Sequence, residues 1–198
     1  MYSDDQVSER LSAFCTSLQF RDENTFMHCG RTCALALELG RFCSLNSREL
    51  RALVLAATVH DIGKIGIPDR VLLKPGRFEP DEWEVMKTHP EIGCRILSTI
   101  QLDGVGNIAT AVLHHHECWD GSGYPAGLTG EDIPVLSRII SIADSYDAMA
   151  TTRPYHRPKA HRAIMKIMLE ESVGKYDPNI GDRFAKLIEV SEYRSSAQ

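Results

Sequence analysis

The chain has 198 residues, of which 43% are hydrophobic and 25% are charged, and these values exclude disordered and fibrous proteins in favour of one soluble globular domain. The net charge of -5 disfavours binding to a nucleic-acid duplex, because duplex-binding domains usually present a basic face. Eight histidines are the unusual feature of the composition, and His114, His115 and His116 are consecutive. Since histidine is the commonest metal ligand and the usual acid or base at neutral pH, the composition points to a metal or catalytic site.

Features of targeting and redox state favour a cytoplasmic protein. No stretch approaches the roughly 18 apolar residues that suggest a membrane span, and Asp4, Asp5 and Glu9 disfavour a secretory signal. The six cysteines form no CxxC pair. Reduced thiols are therefore expected rather than disulfides or a cysteine-rich zinc site.

Helical periodicity covers most of the chain and predicts an all-α fold of about seven or more helices. The predicted helices are 4–20, about 20–42 with Gly40 at its end, 47–60 with Ser47 as N-cap, 80–89, 90–100, about 105 to the histidine triplet, 136–150, 159–171 and 178–192. Residues 119–134 hold four glycines and two prolines, which predicts a loop of the kind that often carries function. Residues 1–19 are expected to form an accessory helix, 20–193 the domain, and 194–198 a frayed tail.

The first candidate site is His60-Asp61 at a predicted helix end. An imidazole beside a carboxylate can serve a site with two metal ions, because the carboxylate can bridge them. A helix-capping role is the alternative for such a common dipeptide. Gly63 and Gly66 favour the site, since small residues let the backbone approach a ligand, and Lys64 between them can reach a phosphate.

The adjacent histidines His115 and His116 are the second candidate. Neighbouring helical residues point about 100° apart, so the two rings can serve two different metals. The alternative is that the histidines form a solvent-exposed polar helix end. Three successive histidines before a glycine-rich loop disfavour that alternative. His114 is not expected to be a ligand.

Two acidic residues on an apolar helix are the third candidate. Asp144 and Asp147 are three residues apart and share a helix face, where carboxylates are costly unless they are paired or bound to metal. A salt bridge with an arginine is the alternative. His28 and His89 are isolated in the sequence, and by themselves each is more simply a core or surface histidine than a ligand.

Taken together, these groups are nitrogen and oxygen donors without cysteine. Such donors suit iron, manganese, zinc or nickel. Two such ions about 3.5–4 Å apart are the usual apparatus for in-line attack on a phosphoester, with a bridging hydroxide as the nucleophile. The donor set therefore predicts metal-assisted phosphoester hydrolysis.

Several motifs in order resemble those of the HD-GYP domains of the HD phosphohydrolase superfamily, over about residues 20–190. They are His60-Asp-Ile-Gly-Lys-Ile-Gly-Ile-Pro, Lys74-Pro-Gly, Met86-Lys-Thr-His-Pro-Glu-Ile-Gly93, His115-His-Glu-Cys-Trp-Asp-Gly-Ser-Gly-Tyr-Pro, Ile139 to Ala148, and Arg153-Pro-Tyr. The resemblance implies an all-α HD fold and hydrolysis of cyclic di-GMP to linear pGpG or GMP, with iron or manganese as the metals.

The resemblance also implies roles for individual residues. The implied metal ligands are His28, His60, Asp61, His89, His115, His116 and Asp144. Asp61 would bridge the metals, and Lys64 would contact a phosphate or the nucleophile, which makes these two the expected catalytic residues. The expected substrate-binding residues are Lys64, Tyr124 and Arg153, with Asp147 and His156 as weaker candidates.

Two departures from the family pattern bear on activity. Members with a third metal carry a glutamate four residues before the first histidine ligand, where this chain has Asn24, so two metals and accumulation of pGpG are expected. His156 stands where a lysine or arginine is frequent, which predicts a weaker hold on phosphate unless Arg157 compensates.

Two other functions remain as alternatives. The chain can be a binding or signalling scaffold that responds to a cyclic dinucleotide, or a phosphodiesterase for another cyclic dinucleotide. The resemblance further suggests contact between the Gly-Tyr-Pro loop and diguanylate cyclase domains. A homodimer, and a place within a longer sensor or response regulator, stay open.

Overall fold

A computed structural model describes residues 4–100, 104–151 and 158–197. Its α-helices are α1 (Asp4–Arg21), α2 (Glu23–Phe42), α3 (Ser47–Val59), α4 (Asp69–Leu72), α5 (Pro80–Met86), α6 (His89–Ser98), α7 (Val105–Leu113), α8 (Val135–Ala150), α9 (His161–Glu171) and α10 (Pro178–Ile188). Ile62–Gly66 and Gly130–Asp132 are short 3-10 helices. Over the described residues the only β-pairing is an isolated bridge between Asp120 and Thr129. The predicted all-α fold is confirmed.

The N-cap of α3 and the role of Gly40 in α2 differ from those predicted, although α2 ends at the predicted bound near residue 42. Asn46, not Ser47, caps α3, because its side chain accepts from the backbone of Glu49 while the Glu49 side chain accepts from the Asn46 backbone. Gly40 does not end α2, which continues to Phe42. A Cβ on Gly40 would lie 2.6 Å from Leu53 Cδ2, so a larger residue there would force the Leu53 side chain of α3 to shift.

The main core is built where α2 packs against α3 and α8, and where α7 closes over α3. Small side chains at the contacts let these helices approach closely, and branched ones fill the space between them. Fully buried members are Leu35, Ala36, Leu39, Leu53, Ala56, Ala57, Ala111, Val112, Ile139, Ile140 and Ala143. This rigid core holds the ends of α3 and α7 and the middle of α8, where the candidate ligands lie.

Both ends of the described chain contact this core. Leu11 and Leu18 of α1 are buried in it. Near the other end, the Ser195 backbone donates to Tyr146 Oη at 2.9 Å and its hydroxyl donates to the Lys159 carbonyl at 2.8 Å. The division into an accessory helix, a domain and a tail stays a prediction. In the described part of the chain, no helix is long and apolar enough to cross a membrane.

Candidate metal centre

The structure brings the seven predicted ligands together, although they are far apart in the sequence. They come from α2, the end of α3, the start of α6, the segment after α7, and α8. The ligand atoms of six of them form two groups of three, and the atoms within each group lie within 4.8 Å of one another. The first group is His89, His115 and His116, and the second is His28, His60 and Asp144.

Asp61 lies between the two groups and offers one carboxylate oxygen to each. Its Oδ1 is 3.2 Å from His89 Nε2 in the first group. Its Oδ2 is 3.5 Å from His60 Nε2 and 4.0 Å from His28 Nε2 in the second group. This is the placement that a carboxylate needs in order to bridge two ions.

Three of the histidines are oriented by the same hydrogen bond. In each, the ring Nδ1 donates to the backbone carbonyl three residues earlier. The pairs are His60 with Ala57 at 2.8 Å, His89 with Met86 at 2.8 Å, and His115 with Val112 at 2.6 Å. Because a carbonyl only accepts, Nδ1 carries a proton, and in the neutral ring the lone pair is on Nε2, directed at the cluster.

The protonation states favour metal binding. Burial lowers the pKa of His60, and burial followed by repulsion from His116 holds that of His115 well below its ordinary value. Burial and repulsion from His89 lower the pKa of His116 to about 3. These rings are therefore neutral near pH 7, which is the form that binds metal.

The carboxylates of the cluster are ionised although Asp61 is buried and Asp144 is half-buried. Burial opposes ionisation, but the nearby Lys64 ammonium holds the pKa of Asp61 well below its usual range. Lys64 Nζ donates to Asp61 Oδ2 at 2.6 Å. Burial likewise opposes ionisation of Asp144, whereas a hydrogen bond from His28 holds its pKa well below the ordinary value.

His28 is held on both sides by carboxylates. Its Nε2 donates to Asp144 Oδ1 at 2.8 Å, and its Nδ1 donates to Asp147 Oδ2 at 2.6 Å. Burial opposes protonation, but these two hydrogen bonds raise the pKa of His28, because both partners only accept. A metal ion at Nε2 would take the place of that proton.

Asp147, a weaker candidate for substrate binding, lies behind His28. Arg31 donates to Asp147 from Nε at 2.8 Å and from Nη2 at 3.1 Å. The arginine pairing considered for the acidic pair is thus present at Asp147, while Asp144 faces the cluster. Arg31 was not a candidate, although its place three residues after His28 on the same helix could have suggested it.

The donor set fits divalent transition-metal ions. His60 Nε2 is buried and has no hydrogen-bond partner among the described residues. Coordination of a metal ion by this nitrogen would account for its burial without a partner. The Cys29 thiol lies within 4.8 Å of the ligand atoms of His60 and Asp61 and was missed from the sequence. Burial raises its pKa well above the ordinary value, so it is a protonated thiol and a poor ligand.

The glycine-rich loop that follows His115 and His116 covers the first group of ligands. The Tyr124 ring lies over His116 with 5.0 Å between ring centroids and 30° between planes. Glu117, also missed from the sequence, is buried and accepts from the backbone of Ala126 at 2.8 Å and of Leu128 at 3.1 Å. His114 Nδ1 lies 3.2 Å from Glu117 Oε1, so His114 contacts the carboxylate that holds the loop.

Three residues named from the sequence do not reach the cluster or cannot be placed. Asn24 is exposed in the first turn of α2, one turn before His28, and its backbone donates to the Asp22 side chain. Arg153 and His156 lie outside the described residues.

A family model described as an HD domain matches residues 11–180. The chain belongs to the HD domain family. This HD domain is similar to Bd1817, described as a HDG"Y"P protein from Bdellovibrio bacteriovorus, with a TM-score of 0.70 and 17% identity, over 94% of this chain and 65% of that one. That likeness supports the fold.

Two curated relatives are more similar in sequence. The HD domain is 41% identical over 169 residues to a cyclic di-GMP phosphodiesterase of Thermotoga maritima, covering 85% of this chain and 46% of that protein. It is 38% identical over 179 residues to the cyclic di-GMP phosphodiesterase response regulator RpfG of Xanthomonas campestris, covering 90% of this chain and 47% of that protein. The resemblance to HD-GYP domains is confirmed, and the chain spans about half the length of these relatives.

Proposed function

We propose that this HD domain hydrolyses a phosphodiester bond of cyclic di-GMP at a two-metal centre. The observation that carries the proposal is the position of Asp61, with one carboxylate oxygen toward each of two separate donor groups. The two relatives named as cyclic di-GMP phosphodiesterases support the choice of substrate.

The ligands proposed for the two ions are the residues of the two groups and Asp61. Imidazole and carboxylate donors without thiolate suit iron, manganese, zinc or nickel, and we propose iron or manganese because the resemblance to HD-GYP domains implies them. When bound, two such ions lower the pKa of water and neutralise charge that develops on the phosphoryl group. Asn24 offers a neutral amide in place of a carboxylate, so we propose no third ion and pGpG as the main product.

The protein's own groups would hold the phosphate in place. The Lys64 side chain is mostly buried, and its ammonium, 2.6 Å from Asp61 Oδ2, can also donate to a phosphate oxygen beside the metals. Burial raises the pKa of Tyr124, so its hydroxyl stays protonated and can donate a hydrogen bond to the substrate. Roles of Arg153 and His156 in substrate binding stay predictions, whereas Asp147 is better placed to orient His28.

The state of the cysteines bears on the cellular location of the protein. All six cysteines are free thiols, which suits the cytoplasm, the location we propose. Contact of the Gly-Tyr-Pro loop with diguanylate cyclase domains and the formation of a homodimer stay predictions.

A product assay on protein of known metal content tests the proposal. The protein is purified without oxygen, loaded with iron or manganese, analysed for metal, and given cyclic di-GMP with pGpG and GMP resolved. We expect about two ions per chain and release of pGpG, with slower turnover of cyclic GMP-AMP and cyclic di-AMP. Asp61→Asn should lose turnover and at least one ion while keeping its helical circular dichroism.

The contrary results are equally definite. If protein with two ions leaves cyclic di-GMP intact with either metal, the phosphodiesterase is ruled out. Tight binding of cyclic di-GMP without product would identify a binding scaffold, and preferred turnover of another cyclic dinucleotide would reassign the substrate.

A further inference from the structure

A row of aromatic rings leads from the metal centre to the protein surface. Tyr124 lies over the candidate ligand His116, and the Trp83 and Tyr124 rings are nearly perpendicular, with 6.2 Å between centroids and 83° between planes. Phe78 stacks on Trp83 with 6.2 Å between centroids and 22° between planes. The row therefore joins a residue of the cluster to α5 and the segment before it.

Trp83 lies in this row without belonging to a hydrophobic core. Helix α5 is anchored by Met86, which is buried with Ile67 and Val71 in a small core of its own. Trp83 is in neither of the hydrophobic cores found among the described residues and is 42% exposed. The packing of α5 thus accounts for the apolar side chain at Met86. It does not account for a large, partly exposed indole at Trp83.

The positions of the neighbouring rings are fixed from several sides. Lys87 Nζ lies 6.0 Å from the Tyr124 ring centroid and pairs with Glu84 at 2.7 Å. Phe78 packs against the small core of α5, so it supports the Trp83 ring from a stable position. A rigid aromatic surface of this kind loses little conformational freedom when a flat ligand stacks on it.

A cyclic dinucleotide has the chemistry that such a surface fits. Its phosphates would lie at the metal centre near Lys64, and its purine bases present flat faces that stack on aromatic side chains. We propose that Trp83, supported by Phe78, is the stacking platform for one purine base of the substrate. The proposal rests on the proposed function, and it makes Trp83 a residue that favours dinucleotides over simpler phosphodiesters.

Tryptophan fluorescence gives a test that does not depend on turnover. The chain has two tryptophans, Trp83 and Trp119, so Trp119→Phe leaves Trp83 as the only indole. The probe is a hydrolysis-resistant phosphorothioate analogue of cyclic di-GMP, added to metal-loaded protein. We expect the analogue to quench the tryptophan fluorescence of Trp119→Phe saturably and to leave that of Trp83→Phe unchanged. The reason is that the base stacks on the Trp83 indole and not on that of Trp119.

Kinetics separate stacking from a structural role. Since stacking contributes about 1–3 kcal/mol per base, Trp83→Ala should raise KM for cyclic di-GMP about 5- to 150-fold. We expect kcat to change less than about threefold, and Trp83→Phe to restore KM. Phe42→Ala is the matched control, because Phe42 is 44% exposed at the opposite end of α2 from His28 and should leave KM unchanged.

The outcomes distinguish the two proposals. If wild type hydrolyses cyclic di-GMP while Trp83 fluorescence does not respond and Trp83→Ala keeps its KM, the stacking proposal is overturned and the proposed function stands. A fall in kcat and metal content in Trp83→Ala would also overturn it, in favour of a structural role. If wild type neither binds nor hydrolyses cyclic di-GMP, the proposed function fails and the stacking proposal fails with it.

Discussion

Gly63 is packed so tightly against His89 that a Cβ atom added to it would lie 1.8 Å from the His89 carbonyl oxygen. The same atom would lie 2.6 Å from the backbone nitrogen of Gly93. Both neighbours are backbone atoms of α6, which cannot give way as a side-chain tip can. The contact therefore sets the distance between the segment that carries Asp61 and the helix that begins at His89.

Gly63→Ala should separate these two segments and damage the metal centre. We expect a loss of about 1–3 kcal/mol in the free energy of unfolding, typical of overpacking, and fewer than two ions per chain. Thermal unfolding and elemental analysis measure the two effects. Gly181→Ala is the control, since Gly181 is in α10 with nothing within 4 Å of an added Cβ, and it should be neutral or stabilising. Unchanged metal content in Gly63→Ala would contradict the argument.

The helices could be predicted from the sequence because the 3.6-residue period of apolar side chains is a local signal. Their ends depend also on capping and on contacts between helices. Asn46 and Ser47 are both good N-caps, so preference alone could not choose between them. Gly40 resembles a helix terminator, and its true reason, the approach of Leu53, depends on a contact between two helices.

The site was predictable by resemblance and only partly from residue chemistry. His60-Asp61 and the histidine triplet are adjacent in sequence and stand out, whereas His28 meets Asp144 across 116 residues. A partner that distant leaves no local pattern. Glu117 was missed for a related reason, because a carboxylate next to a polar loop looks solvent-exposed until the loop closes over it.

Asp147→Asn should weaken the metal held by His28, His60 and Asp144. The amide can still accept from His28 Nδ1, but the negative charge that supports His28 and pairs with Arg31 is lost. Loss of such a supporting carboxylate typically lowers metal affinity about 10- to 100-fold. Competition with a chelator should therefore remove one of the two ions more easily than the other.

A second buried carboxylate that pairs with an arginine provides the control for Asp147. Asp177 accepts from Arg138 at 2.7 Å and caps α10, a helix that supplies none of the candidate ligands. Asp177→Asn should lower the unfolding temperature and leave both metal affinities intact. If the two variants affect the metals equally, Asp147 has only a structural role.

Glu117→Gln should loosen the Gly-Tyr-Pro loop while the metals remain bound. A glutamine has one acceptor oxygen, so one of the Ala126 and Leu128 amides would lose its partner, at a cost of about 1–3 kcal/mol. Hydrogen exchange should show faster exchange at those amides, with lower kcat/KM and two ions retained. Glu131→Gln, an exposed change in the same loop, should leave exchange unaltered. Equal protection in both variants would contradict the role of Glu117.

Lys64→Met should change activity and metal affinity in opposite directions. The Lys64 ammonium donates to Asp61 Oδ2, the oxygen that faces the second ligand group, so it repels cations there. Removing it should keep or raise metal affinity, while the lost donor to phosphate lowers kcat about 10²- to 10³-fold. Lys166→Met, which removes a side chain 77% exposed on α9, should change neither. Because damage to the fold would lower both quantities, a parallel loss in Lys64→Met would contradict a direct role in catalysis.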